Sequence, residues 1–150
     1  MLIAPILSAQ DYSFEDFPSE NISQVALQQI NFDSHPDSRN LESRLEVLIG
    51  STPNFAGHYI ATGFGCGTAC QVVTIIDVIT GDILIPTASS AGFCHSLNSQ
   101  LLIINPYITD SFDGPAPDWA NTYYYLMGND GIELIAQTRE SYKGECEFGP

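Results

Sequence analysis

The stretch Asn54-Phe-Ala-Gly-His-Tyr-Ile-Ala-Thr-Gly-Phe-Gly-Cys-Gly-Thr-Ala-Cys-Gln-Val-Val-Thr-Ile-Ile-Asp-Val-Ile-Thr-Gly-Asp82 decides the architecture. Its two runs, roughly His58–Phe64 and Gln71–Ile79, are rich in β-branched and aromatic residues and predict two strands. A glycine-rich knot carrying Cys66 and Cys70 joins them. In the second run Val73, Ile75 and Ile79 share one parity while Val72, Ile76 and Val78 share the other. Apolar residues on both parities predict a strand covered on both faces, by a helix on one side and a further layer on the other. Asp77 is the odd residue in that run, and a carboxylate in a covered strand needs a partner. A turn amide is the ordinary partner, with a catalytic or metal role as the alternative. Thr80-Gly-Asp82 predicts a hairpin into Ile83–Pro86, where the proline ends the strand or sets it at a sheet edge.

Outward from this centre the patterns are local. Toward the N-terminus, residues 34–50 combine a capping serine, a proline in the first turn, Leu41, Leu45 and Leu48 at helical spacing and a closing glycine, predicting a helix over Asp37–Ile49. Arg39 and Arg44 sit on it beside Glu42 and Glu46, as on a solvated, salt-bridged face. Residues 21–30 fit strand or short helix equally. Met1–Gln10 is apolar and ends in small residues, which reads as a truncated signal-peptide remnant before a single β-rich domain over 11–150. An ordinary N-terminal strand is the other reading. Toward the C-terminus, Gln100–Asn105 predicts a strand closed by Pro106, and Thr122–Met127, Gly128-Asn-Asp-Gly131 and Ile132–Ala136 predict a hairpin. Between them, Tyr107–Asn121 is longer than a hairpin turn and rich in proline and aspartate, a length associated with binding loops. The fold expected is mainly β (α+β), a single-domain antiparallel meander of five to seven strands with one N-terminal helix packed on the sheet.

Composition removes several functions. A chain of 150 residues has enough surface to bury for one core without a metal. Eighteen acids against four bases give a formal charge of −14, which repels phosphate backbones and argues against nucleic-acid binding. No apolar run approaches the ~20 residues of a membrane-spanning helix, so membrane insertion is not expected. A cationic partner, a basic protein or a cell-envelope ligand, is compatible with the charge. No nucleotide loop, hydrolase elbow or zinc signature is found, and no cofactor or metal is expected.

Four cysteines in a chain that reads as exported suggest two disulfides, with three possible connectivities. Cys66–Cys70 and Cys94–Cys146 are the expected pairs. A competing reading makes Cys66 or Cys94 a nucleophile with His58 or His95 as its base. Zinc held by Cys66, Cys70, His58 and His95 is a weaker alternative, because the spacing between the cysteines is loose for a zinc site. The catalytic candidates are therefore His58, Cys66, Asp77 and His95. His58 itself is expected to be structural and to bond Asp77, since the two strands follow one another in the chain. Asp110, Asp113 and Asp118 place three carboxylates around a glycine without EF-hand spacing. With Trp119 and Tyr123 they form the candidate binding residues.

The segments Asn54–Tyr59, Gly65–Gln71, Ile76-Asp77, Thr80-Gly81, Ser99–Ile103 and Thr122–Tyr125 resemble an uncharacterised family of small exported bacterial proteins with an NFAGHY…GCGTxC…TG…TYYY pattern. The resemblance spans roughly residues 36–136. It implies export to the periplasm or the cell exterior and a single β-rich domain, and it carries no catalytic residue or substrate. Members often have a second cysteine pair just before the tyrosine run, which this chain lacks, so the expected Cys94–Cys146 pair rests on this sequence alone and not on the resemblance. The function expected is a non-catalytic exported binding or inhibitory module with an acidic surface. The alternative is a small hydrolase or transferase centred on His58.

Overall fold

The first two strands, β1 (Tyr59–Gly67) and β2 (Cys70–Asp77), pair as an antiparallel hairpin with Tyr59 opposite Asp77 and Gly67 opposite Cys70. A computed structural model describes residues 12–146, so the Met1–Gln10 segment lies outside the described residues. β3 (Ile83–Ser89) pairs with β2 and completes a three-stranded sheet. Four further strands, β4 (Phe93–Cys94), β5 (Leu101–Ile104), β6 (Thr122–Gly128) and β7 (Gly131–Thr138), form a second antiparallel sheet in sequence order. The protein is mainly β, as its patterning predicts, but the meander is split into two sheets.

The split follows from the two-faced apolar strands. Ala61, Val73 and Ile75 share one core cluster with Leu102, Ile104 and Met127 of the second sheet. Alternate residues of the first sheet, Ile60, Ile76 and Ile83, face a different cluster with Leu27 and Leu45. Leu101, Ile103 and Tyr124 turn the opposite way, toward Cys94 and Tyr142. A single sheet with one helix would leave an apolar face of β2 or β5 in water, so the meander stacks on itself. The break comes at residues 90–92, where the Asn105 side-chain carbonyl accepts from the Ser90 and Ala91 amides, both at 2.8 Å. Pro86 sits on the edge strand β3, beside a register shift.

The helix is shorter than its leucine spacing predicts. A 3-10 turn at Ser38–Leu41 runs into α1 (Glu42–Glu46), and Leu45 carries the contact with the first sheet. Beyond Glu46 the amides of Leu48, Ile49 and Ser51 bond three residues back. Gly50, at φ 93°, then donates to the Leu27 carbonyl and leaves the helix. The segment left open between strand and helix, residues 21–30, is neither, and Leu27 is its fully buried anchor.

Candidate functional site

Residues 54–59 form a tight turn that carries His58. The Phe55 and Tyr59 backbones exchange two hydrogen bonds of 3.0 Å across Ala56, Gly57 and His58. Closing so short a loop forces left-handed backbone at Ala56 (φ 49°) and Gly57 (φ 90°). A Cβ on Gly57 would lie 2.6 Å from the Glu20 carbonyl oxygen, which makes glycine necessary there. The loop between β4 and β5 clamps the turn, with the Gly57 amide donating to the Leu97 carbonyl at 2.9 Å and the Ala56 amide to the Ser96 and Ser99 carbonyls. The Asn54 side chain imitates a strand neighbour. Its Oδ1 accepts from the Ala61 amide at 2.7 Å and its Nδ2 donates to the Ala61 carbonyl at 3.1 Å, covering that edge of β1.

Within this turn, His58 Nδ1 lies 3.0 Å from Asp77 Oδ1, with the side chains 21% and 16% exposed. A carboxylate only accepts, so Nδ1 carries the proton in this bond. The same Oδ1 accepts from the Ile79 amide at 2.9 Å, so Asp77 has both a turn amide and an imidazole. The His58 ring stacks on Tyr59 at 4.3 Å between centroids. Burial first, then the Asp77 charge, pushes the Tyr59 hydroxyl up from its usual value. His58 and Tyr59 line a polar cleft of about 40 Å³ with Glu20, Gln100 and Asn129, space for about one water molecule.

The other catalytic candidates are elsewhere. Cys66 is bonded to Cys70 and Cys94 to Cys146, with Cα separations of 5.1 and 5.6 Å, so no thiol is available among the described residues. That corrects the nucleophile reading of Cys66. Cys66 also sits at the far end of β1, seven residues past Tyr59, roughly 25 Å from His58 at the rise of a strand. His95 Nδ1 donates to the Asn54 carbonyl at 3.1 Å, between Phe55 and Phe93. Burial lowers its pKa, and the Asn54 bond works against that shift. His58 and His95 thus brace one turn from two sides rather than sharing a reaction centre. No group of acids, histidines and cysteines suited to a metal occurs among the described residues.

Loop 107–121 places its residues differently. Asp110, Asp113 and Asp118 are exposed, and Trp119 is 60% exposed. Phe112 meets the Trp119 ring edge-on at 5.9 Å. Arg139 donates to the Ala116 and Pro117 carbonyls at 2.7 and 2.9 Å, and the Asn121 side chain donates to Asp118. These bonds hold the indole out in a loop that composition alone would leave mobile. Tyr123 is half-buried and packs against the core between the sheets, whereas Trp119 with Phe112 forms the aromatic surface of the loop. Sequence reading missed Asn54, Arg139 and Phe112. The aspartate-proline bias marked the loop, but no local signal names a clamp from β7's far end.

Comparisons with known protein families, curated proteins and solved structures find no match to this chain.

Proposed function

We propose that the protein is a non-catalytic binding module that presents Trp119 and the carboxylates of loop 107–121 to a cationic partner, such as a basic protein segment. The exposed indole on a clamped loop carries this reading. A large apolar ring costs solvation when left in water, and a lysine or arginine placed over its face gains about 0.5–2 kcal/mol. Asp110, Asp113 and Asp118 supply counter-charge, and the net charge of −14 steers cations toward the surface. Preorganisation by Arg139 lowers the ordering cost of association. The two disulfides support a home in an oxidising compartment, the periplasm or the cell exterior.

Calorimetric titration with a lysine-rich peptide tests the reading. Binding should weaken at least tenfold for Trp119→Ala and fall steeply with added salt. Equal heats from wild type and Trp119→Ala would refute it.

A second reading rests on the His58–Asp77 pair, whose geometry leaves Nε2 free to act as a general base in a small hydrolase or transferase. The residues lining the adjoining cleft include no cysteine, serine or threonine, so the attacking group would have to be water.

A further inference from the structure

The Cys66–Cys70 bridge takes no part in the core. Cys66 and the four residues of 65, 67, 68 and 69 are exposed, and Cys70 is half-buried. A Cβ on Gly65 or Gly67 would meet nothing within 4 Å, so the strand ends on either side of Cys66 are unpacked. The other bridge contrasts with this: Cys94 is 1% exposed and packs with Leu101, Ile103, Tyr124 and Cys146.

The charge around the tip is also unusual for this molecule. Arg44 Nη1 donates to the Gly65 carbonyl at 2.9 Å, which sets a guanidinium against the β1 backbone one residue before Cys66. Arg44 forms no ion pair among the described residues. Of the neighbouring helix carboxylates, Glu42 is engaged by Arg39 at 3.5 Å, and Glu46, two positions after Arg44, projects from a different side. The sequence has no Asp or Glu between Glu46 and Asp77 or between Asp82 and Asp110, which covers the tip and the β3 residues paired beside it. An anion repelled by most of the surface therefore meets a cation here.

We propose that Cys66–Cys70 is a thiol–disulfide exchange site for anionic thiols of low molecular weight, with Cys66 Sγ as the atom attacked. The incoming thiolate forms a bond to Cys66 Sγ and breaks the bridge, and Cys70 leaves as a thiolate. A second thiolate attacks the external sulfur of the mixed disulfide and releases Cys66 as a thiolate. Two external thiols are oxidised to one disulfide, the protein bridge is reduced to a dithiol, and the two protons lost by the external thiols are available to the cysteines. Exposure of Cys66 over Cys70 fixes the sulfur attacked, and Arg44 fixes the preferred charge of the reagent.

The experiment treats the native, oxidised protein with reduced glutathione, quenches with acid and maps adducts by peptide mass spectrometry. Glutathione should appear on Cys66 with a free thiol on Cys70, while Cys94–Cys146 stays closed and the circular dichroism is unchanged. Glutathione first on Cys70, or opening of Cys94–Cys146 at the same rate, would overturn the proposal. Arg44→Gln should slow the reaction with glutathione about 2- to 4-fold. It should leave the rate unchanged for cysteamine, whose ammonium cancels the thiolate charge. Equal slowing of both reagents would show Arg44 acting through the fold and would remove the charge selectivity. The wild-type adduct map stands without any variant.

Discussion

The two ends of the β1–β2 hairpin are built from neighbouring residues and behave as opposites. At the His58–Asp77 end, the turn is held by the loop between β4 and β5, by the Ser23 and Val78 amides, and by the Asn54 side chain. At the Cys66–Cys70 end, the strands are joined by a bridge and touched by Arg44 at one carbonyl. Both ends are dense in glycine, and both carry residues that chemistry favours. The difference teaches that a histidine in a short glycine turn can fix that turn through one ring nitrogen, while a cysteine pair at the other end of the same hairpin stands clear of the core.

Removal of the bridges gives the largest contrast. Loop-closure entropy predicts a loss of about 4 kcal/mol for Cys94→Ser with Cys146→Ser, against about 2 kcal/mol for Cys66→Ser with Cys70→Ser. Urea unfolding of the two double variants measures both, and equal losses would place the tip bridge on the same structural footing as the buried one.

The glycines separate the ends next. Gly57→Ala meets a backbone oxygen at 2.6 Å with φ at 90° and should cost on the order of 3 kcal/mol. Gly65→Ala enters open space and should stay within about 0.5 kcal/mol of wild type. Chemical denaturation of the pair checks this, and a large loss for Gly65→Ala would show the tip to be packed.

These contrasts also mark what the sequence could show. The hairpins were legible because period-two patterning and turn residues lie within a few positions of each other, as at Thr80-Gly-Asp82 and Asn129-Asp130. The His58–Asp77 contact was legible because the two strands are consecutive. A further layer over β2 was legible from its two apolar faces, but the break that makes the same meander supply that layer was not, because Asn105 bonds the amides of residues 90 and 91 from fifteen and fourteen positions away. The helix was overextended because Leu48 keeps the period, whereas the tertiary bond from Gly50 to Leu27 ends the element. Arg44 read as a partner for nearby glutamates, yet it reaches the β1 edge instead. Side-chain bonds to distant backbone carry no periodic trace.

Acid should weaken the locked end through His95. Its pKa in the unfolded chain is about 6.5, and burial lowers it in the fold, so the unfolded chain binds the proton first as pH falls. The stability is therefore full above that unfolded value and declines as pH drops through it toward the depressed folded one. Thermal melts of wild type and His95→Gln at pH 7.5 and 5.5 isolate the effect, since the remaining titrating groups are common to both. Wild type should lose more stability than His95→Gln between the two conditions, and parallel losses would contradict the assignment.

The central claim is that recognition belongs to the Trp119 loop while His58 maintains the fold. Trp119 is the sole tryptophan in the chain, so its emission reports on the loop directly. The decisive measurement is the change in that emission when His58→Ala is titrated with the lysine-rich peptide, under conditions where circular dichroism shows the variant folded. His58→Ala should lose about 1–3 kcal/mol of stability, the cost of stranding the partly buried Asp77. Its folded fraction should give the same emission change and the same midpoint as wild type. A variant of unchanged stability that no longer responds to the peptide would contradict the account and place the functional centre at His58.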